Sequence, residues 1–310
     1  MPSKLKKIFF LTFAASHLLT SLALHAVTPS AEEILAKSTP KDWRIPDQDN
    51  LLYMKLPQGM VIFELAPEFA PEHVSNIKLL AKEKYWDKLS VYRVHDNFVA
   101  QFGDPMAMES REGPNVKPLG SAREKLPAEF ERSSIDVEFS KLPDVDGWAP
   151  QVGFSKGFAV GKDPKNNTMW LTHCYGMLGA GRFSAKDSST GAELYMVIGQ
   201  SPRQIDLNIT SVGRVIQGAE FLSGLKRGTG VVGIYKTPEE YTPIEWIRLG
   251  TDLKAEQQVN VEILHTNSEI FKEIVEAKRN RVDDFYARPA GHIDLCNISV
   301  PVREQQAHLK

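Results

Sequence analysis

The chain of 310 residues has only two cysteines, no strongly basic region and a net charge of −2. Its 25% charged and 42% hydrophobic residues are typical of a globular protein. The lack of a basic patch and of any nucleic-acid-binding motif argues against binding to DNA or RNA. The histidines lack the paired spacing of a zinc site, so we expect them at the surface or in packing and expect no bound metal.

One glycine-rich stretch, residues 228–233, matches the spacing of a dinucleotide-binding loop. Such a loop must lie between a strand and a helix, because the N-terminus of the helix binds the phosphates. Here the stretch leads into residues 234–238, which include a proline and show no helical pattern. We therefore expect an ordinary loop at this place and no nucleotide cofactor.

The N-terminus predicts export. Three lysines precede an apolar run at residues 8–24, which ends in small residues. This pattern is typical of a cleavable signal peptide, here residues 1–26. An uncleaved membrane anchor is the alternative, because the run approaches spanning length, but its hydroxyl residues and histidine favour cleavage. Residues 1–26 hold three lysines and no acids, so cleavage changes the net charge from −2 to −5.

Residues 91–104 are the most informative part of the sequence. They contain two short alternating runs joined by a polar turn. Side chains alternate between the two faces of a strand, and a tight turn places two such strands side by side. Arg93 on the first strand is therefore expected to lie near Phe98 and Gln101 on the second. A cation, an aromatic ring and an amide would then share one surface.

This hairpin resembles the active-site hairpin of the cyclophilins, the peptidyl-prolyl cis-trans isomerases. Further blocks resemble other elements of that family, in the family's order, and these are residues 59–65, 66–77, 176–181, 191–198 and 205–218. The resemblance covers about residues 51–251, with one long insertion. It implies an enzyme that accelerates X–Pro isomerisation in the folding of exported proteins, without a cofactor, in the bacterial periplasm.

The resemblance also implies a mainly β fold, a closed eight-stranded barrel with two covering helices. The remaining chain becomes a long insertion and a C-terminal α/β appendage. We expect a signal peptide at residues 1–26 and an N-terminal extension at residues 27–49. The barrel domain is expected at residues 50–251, with its insertion at residues 105–175, and the appendage at residues 252–310. Apolar spacing predicts helices over residues 71–84 and 268–287, and a turn signal at residues 162–167 predicts a hairpin within the insertion.

The roles of individual residues follow from the same resemblance. Arg93 is expected to donate to the prolyl nitrogen as the amide twists, while Gln101 binds the substrate backbone and orients Arg93. The implied substrate-binding residues are Phe98, Val99, Ala180, Glu193, Tyr195, Ile205 and Ile209. We expect proline-containing polypeptides as partners, with no nucleic acid and no membrane after cleavage, and a monomeric protein.

The sequence departs from the family at four places. Gln204 replaces an aromatic residue, and Ile209 replaces an aromatic residue or histidine. Arg182 stands for an asparagine and Glu193 for a glutamine. A catalytically weak chaperone or scaffold module that binds proline segments therefore stays the alternative function. Glu193 beside Arg93 would either steady the guanidinium or compete with the substrate for its donors.

The two cysteines gain meaning from the predicted export. Cys174 lies just before the central strand and Cys296 lies in the C-terminal segment. An even pair in an oxidising compartment indicates a disulfide. Two buried free thiols are the alternative, and both interpretations stay open.

Overall fold

The computed structural model describes residues 29–200, 202–286 and 288–305. The predicted signal peptide, residues 1–26, lies outside the described residues. Within the described part the fold is mainly β, with three antiparallel sheets and four α-helices. None of the helices in that part is long and apolar enough to cross a lipid bilayer.

The strands are numbered β1 to β17 and the helices α1 to α4 in chain order. The strands are Trp43–Arg44, Leu51–Leu56, Gly59–Leu65, Ser90–Val94, Val99–Gly103, Arg132–Ser133, Ser140–Lys141, Gln151–Ser155, Phe158–Asp163, Thr168–Leu171, Met177–Ala180, Leu194–Val197, Ser211–Gln217, Thr242–Pro243, Trp246–Leu249, Val261–Leu264 and Val302–Glu304. The helices are Ala31–Leu35, Pro71–Lys82, Ala219–Ser223 and Glu269–Arg279.

Nine strands form the main sheet, in the order β14-β4-β5-β12-β11-β13-β3-β2-β15. The sheet curls around a core that receives alternate side chains of its strands. Phe63 of β3 and Phe102 of β5 meet there, with ring centroids 6.2 Å apart. Helix α2 packs Val74, Ile77 and Leu80 against the same core. The apolar face predicted for this helix is therefore its buried face.

Both ends of α2 follow from its sequence. Pro71 occupies the first turn, where a missing N–H costs little. Glu72 near the N-terminus and Lys82 near the C-terminus have the charges that the helix dipole favours. We predicted a helix over residues 71–84, but it ends at Lys82. The reason is that Lys84 has a φ of 58°, a left-handed conformation that does not continue a right-handed helix.

Helix α4 is also shorter than predicted. Ser268 caps its first turn by accepting a hydrogen bond from the backbone N–H of Phe271. The helix ends at Arg279 rather than at residue 287. Beyond that end, Asp283 accepts hydrogen bonds from backbone N–H groups two and three residues later and so fixes a local turn. Phe285, which falls within the predicted helix of residues 268–287, lies beyond its observed end and is 84% exposed.

The insertion builds a sheet of its own, in the order β6-β10-β9-β8-β7. Strands β9 and β10 pair across a turn that contains Asn167 with a φ of 54°, which confirms the predicted hairpin. Phe154 of β8 packs on Phe271 of α4, with ring centroids 5.1 Å apart. The insertion and the C-terminal appendage therefore share one hydrophobic core, separate from the core inside the main sheet.

The N-terminal extension joins the C-terminal appendage in a third sheet, because β16 pairs with both β1 and β17. Arg303 of β17 lies over the ring of Trp43 of β1, with the guanidinium carbon 3.9 Å from the ring centroid. From the sequence we expected the two segments to be separate. Neither segment alone specifies a partner strand, so their pairing is a property of the folded chain.

Cys174 and Cys296 form a disulfide in this structure, with Cα atoms 5.0 Å apart. The bond joins the chain just before β11 to the C-terminal segment that follows α4. The sequence separation is 122 residues, so the bond strongly restricts the unfolded chain. It fixes an irregular segment that has few backbone hydrogen bonds of its own.

We expect replacement of both cysteines by serine to lower the free energy of unfolding by about 2–5 kcal/mol, because the unfolded chain regains the freedom of a long loop. Urea unfolding of the purified proteins measures this difference. A reducing agent should destabilise the wild type by a similar amount and leave the variant unchanged. Equal stability of the two proteins without reductant would contradict the expectation.

Candidate active site

The hairpin of β4 and β5 carries the residues that the sequence singled out. Asn97 closes its turn with a φ of 54°, and Arg93 lies opposite Gln101 in the strand register. Nη1 of Arg93 donates to Oε1 of Gln101 at 2.8 Å. The guanidinium carbon lies 5.7 Å from the centroid of the Phe98 ring. The structure thus brings the cation, the amide and the ring onto one surface.

This surface is one wall of a cavity of about 260 Å³. The volume is below the range typical of drug-sized ligands, so the cavity suits one small group such as a side-chain ring. All the predicted site residues except Ala180 line it, namely Arg93, Phe98, Val99, Gln101, Glu193, Tyr195, Ile205 and Ile209.

The structure corrects the prediction for Ala180. Side chains alternate along β11, so Leu178 and Ala180 point into the core and are completely buried. The opposite face, on the side of the cavity, carries Gly179 and Gly181. A Cβ on Gly179 would lie 2.3 Å from the ring of Tyr195. The contribution of this strand to the cavity is therefore the space that a glycine leaves for the Tyr195 ring.

Arg93 is fixed from a second side by the loop of residues 228–233. Its Nε donates to the backbone carbonyl of Val232 at 2.8 Å, and its Nη2 lies 3.4 Å from Nδ1 of His95. Burial lowers the pKa of Arg93 from its usual value, but a guanidinium remains charged at neutral pH. The cavity therefore has a permanent cation held in one orientation.

This loop contributes to the site in a way that the sequence does not predict. Val232 has a φ of 49° and Gly233 a φ of 81°. A Cβ on Gly233 would lie 2.4 Å from Cα of His95, so the close approach of the two chains requires glycine. The glycines signalled a tight turn, but the sequence gives no indication that the carbonyl of Val232 meets Arg93.

Glu193 supports Arg93 indirectly, rather than from beside it as we expected. Nε2 of Gln101 donates to the hydroxyl oxygen of Tyr92 at 2.7 Å. The hydroxyl of Tyr92 in turn donates to Oε2 of Glu193 at 2.9 Å. Oε1 of Glu193 accepts from the N–H of Asp104 at 3.0 Å. The carboxylate thus orients Gln101 through Tyr92, and Gln101 orients Arg93.

Burial raises the pKa of Glu193 to about 7. The hydrogen bonds from Tyr92 and the Asp104 N–H act in the opposite direction, as does the charge of Arg111 at 3.7 Å. Burial also raises the pKa of Tyr92 well above its usual value, so its hydroxyl stays a donor at neutral pH. A Cβ on Gly103 would lie 2.1 Å from Oε2 of Glu193, so glycine at this position makes room for the carboxylate.

A second buried network lies behind Tyr195. Its hydroxyl lies 3.0 Å from Nε2 of His173, and Nδ1 of His173 lies 2.9 Å from Oδ1 of Asp206. Nε of Arg203 donates to Oδ2 of Asp206 at 2.5 Å. Burial alone would raise the pKa of Asp206, but the hydrogen bond to His173 and the charge of Arg203 lower it overall. His173, which we had expected only at the surface or in packing, connects the cavity wall to a buried ion pair.

Comparisons with known proteins point to one family. The family model for cyclophilin type peptidyl-prolyl cis-trans isomerase matches residues 51–246. A probable peptidyl-prolyl cis-trans isomerase of Brucella suis is 25% identical over 195 residues, 63% of this chain and 81% of that protein. A putative peptidyl-prolyl cis-trans isomerase of Staphylococcus haemolyticus is 36% identical over 63 residues, 20% of this chain and 32% of that protein. The crystal structure of a cyclophilin from Hirschia baltica has a TM-score of 0.67 and 21% identity, and covers 90% of this chain and 100% of that chain.

The chain belongs to the cyclophilin-type peptidyl-prolyl cis-trans isomerases, because the family model matches well over half of it. It is therefore a peptidyl-prolyl cis-trans isomerase, and the prediction made from the hairpin and the other blocks is confirmed. The fold shared with the Hirschia cyclophilin extends beyond the family match, because that likeness covers 90% of this chain.

Glu193 predicts a pH dependence of stability. Its pKa is about 7 in the folded protein against an ordinary value of 4.5, so the folded state binds the extra proton between these values. The free energy of unfolding therefore falls as the pH rises from 4.5 to 7, and the contribution levels off above 7. We expect this decrease to be at most about 3 kcal/mol.

Glu193→Gln keeps the shape of the side chain but cannot ionise, so it should remove this decrease. Urea unfolding of both proteins across the window tests the expectation, since the difference between them cancels the titration of other groups. A difference that stays constant with pH would contradict it.

Proposed function

We propose that this cyclophilin accelerates X–Pro isomerisation during the folding of exported polypeptides, with Arg93 as catalytic residue. The observation that carries the proposal is the fixed guanidinium at the cavity wall. Val232 and Gln101 each accept a hydrogen bond from it at 2.8 Å, and Phe98 lies beside it. A cation beside an apolar ring, in a cavity that fits one small group, suits a proline and its amide.

The reaction rotates the X–Pro C–N bond over a barrier of roughly 18–20 kcal/mol. Resonance is lost in the twisted state, so the prolyl nitrogen gains a basic lone pair. A donor fixed near that nitrogen stabilises the twisted state more than the planar one, and this difference is what accelerates the rotation. A guanidinium has five N–H donors. Val232, Gln101 and His95 engage three of them among the described residues, so two remain for the substrate.

The rest of the cavity suits the proline ring and the chain around it. Phe98, Tyr195 and Ile209 supply apolar surface for the ring, and Val99 and Ile205 extend that surface. Gln101 is held by its bonds to Arg93 and Tyr92 and is placed to bind the substrate backbone. Substrate contact with Glu193 is secondary in this proposal, because its oxygens already accept internal hydrogen bonds.

The departures from the family pattern fit this proposal. Arg182 donates to three backbone carbonyls at 2.7–3.1 Å and so holds the loops at the cavity rim together. Ile209 lines the cavity and offers apolar surface where the family has a ring. Gln204 lies in an adjoining groove rather than in the cavity, so its lack of an aromatic ring leaves the wall next to Arg93 intact.

The proposal includes a closed barrel of eight strands with two covering helices. Strand β14 pairs with β4 and β15 pairs with β2, although only two residues separate β14 from β15. The N–H of Ile244 donates to Leu89 and the N–H of Glu245 donates to Lys55, so this short link reaches both edges. Counted as one strand, β14 and β15 would close the sheet, with α2 and α3 as the helices that cover it.

The periplasm is the proposed location. The basic flank, apolar run and small residues of residues 1–26 support export with cleavage. The disulfide between Cys174 and Cys296 is consistent with an oxidising compartment, where such bonds persist. Newly exported chains with X–Pro bonds would then be the substrates.

We expect Arg93→Ala to lower kcat/KM by about 10²–10³, because a preorganised donor to the twisted state is lost. Arg93→Lys should restore little of it, since a lysine lacks the guanidinium fork. A proline-isomerisation assay on a short X–Pro peptide measures both. Arg227→Ala is the matched control, because Arg227 pairs with Asp96 of the same hairpin at 2.9 Å but does not line the cavity.

Full activity of Arg93→Ala would exclude the assigned role. Wild-type protein that binds X–Pro peptides but does not isomerise them would instead favour the binding module that the family departures suggested.

Export predicts that protein recovered from the periplasm lacks its first 23 to 26 residues, because the N-terminal pattern matches a cleavable signal. Intact-mass spectrometry after periplasmic extraction measures this directly. A full-length mass in the membrane fraction would favour the uncleaved anchor.

A further inference from the structure

A groove of about 560 Å³ lies next to the catalytic cavity. Phe98 lines both, so the two spaces meet at its ring. We call it the Trp148 groove and define it by Asn97, Phe98, Trp148, Gln200, Gln204 and Asn297. The hairpin, the insertion and the C-terminal segment each contribute to it. The part of the chain that matches the family model ends at residue 246, so the Asn297 side of this groove lies beyond that match.

Trp148 is exposed but not loosely attached. Trp148 is 56% exposed, but it lies in a loop that Asp146 holds in place through hydrogen bonds. One oxygen of Asp146 accepts from the N–H of Trp148 at 2.8 Å and from the N–H of Ala149 at 2.9 Å. Both terminal nitrogens of Arg203 donate to Asp146 at 3.1 Å. These two charged side chains are 2–3% exposed, so the loop rests on a buried ion pair.

The same ion pair connects the groove to the catalytic cavity. Arg203 also bonds Asp206, which bonds His173, and His173 meets the hydroxyl of Tyr195 at the cavity wall. One buried network therefore fixes both the Trp148 loop and the Tyr195 ring. Isolated exposed apolar residues are common on protein surfaces, but this indole is held by the network that also supports the site.

The opposite side of the groove is fixed as well. Asn297 ends a short helical turn in which Leu295 is buried and Cys296 is bonded to Cys174. The carboxylate of Asp294 accepts from the N–H of Cys296 at 2.8 Å and closes the same turn. The insertion and the C-terminal segment thus hold two sides of the Trp148 groove in place before any substrate arrives.

We propose that the Trp148 groove binds the stretch of an unfolded polypeptide that flanks the proline in the catalytic cavity. The inference rests on the proposed function and names its substrate class as long, extended chains rather than short peptides. The side-chain amides of Gln200, Gln204 and Asn297 match a polypeptide backbone, which offers both donors and acceptors. Asn97 adds a donor, because its side-chain oxygen already accepts from the N–H of Gln200 at 2.8 Å. The indole of Trp148 offers contact to one apolar or aromatic side chain. Arg203 and Asp294 also line the groove. Asp146 and Asp206 pair with Arg203, so its cation does not select for acidic chains.

The test compares two substrates. One is a four-residue X–Pro peptide, too short to fill both spaces, and the other is an unfolded protein whose refolding is limited by proline isomerisation. We expect Trp148→Ala to lower kcat/KM for the protein at least fivefold, and to change it for the peptide by less than twofold. Phe285→Ala is the control, since it removes an aromatic ring that is 84% exposed and lies outside both spaces.

A binding measurement separates this inference from the proposed catalysis. In an Arg93→Ala background, a reduced and alkylated proline-containing protein should bind at least fivefold more weakly once Trp148 is also changed to alanine. If Trp148→Ala lowers kcat/KM equally for peptide and protein, or not at all for the protein, the proposed role of the groove is wrong and the isomerase function still stands. Wild-type protein that shows Trp148-dependent binding of the unfolded protein but isomerises neither substrate would instead overturn the proposed function and leave the role of the groove standing.

Discussion

Arg93 keeps its positive charge while much of its side chain is removed from water, and the surrounding residues compensate for the lost hydration. Burying a charge is costly unless hydrogen bonds replace those of water. The carbonyl of Val232 and the amide oxygen of Gln101 do this directly. Because each acceptor must itself be held, the loop of residues 228–233 needs a left-handed turn and Gln101 needs Tyr92 and Glu193. Much of the architecture around the cavity follows from keeping one partly buried guanidinium charged and fixed.

The parts of this arrangement that depend on local sequence patterns could be predicted from the sequence. The hairpin at residues 91–104 and the helix beginning at Pro71 follow from local pattern and capping. The cluster of Arg93, Phe98 and Gln101 follows from that hairpin alone. The family resemblance added the more distant wall residues Tyr195 and Ile209. These distant residues could be assigned only because several sequence blocks resemble the family in the family's order, which no single stretch of the sequence reveals.

What the sequence could not reveal depends on contacts between distant segments. Glu193 was expected beside Arg93, but Tyr92 and Gln101 stand between them. His173 looked unremarkable because its partners Tyr195 and Asp206 lie 22 and 33 residues away in the chain. The ends of helices were misplaced for a different reason. A left-handed Lys84 and the turn at Asp283 depend on local backbone conformations that several residue types can adopt.

The insertion, which lies within the family match, and the segments outside that match form a structure of their own rather than loose additions. The insertion packs on α4, and the N-terminal β1 pairs with β16 near the end of the chain. A second core fills the space between them and reaches Val99 and Tyr195 on the outer face of the main sheet. Changes in these segments therefore reach the cavity wall through packing, although they contribute few residues to the cavity itself.

The pairing of β1 with β16, and the bond of Cys174 to Cys296, also constrain the order in which a newly made chain assembles. Residues 43–44 emerge first but have no partner until residues 261–264 exist, and Cys174 waits for Cys296. All strands of the main sheet precede both of these late partners in the chain. The catalytic sheet can therefore form during synthesis, while the outer layer and its disulfide can be completed only afterwards. This prolyl isomerase would then have its active site assembled before its own folding is complete.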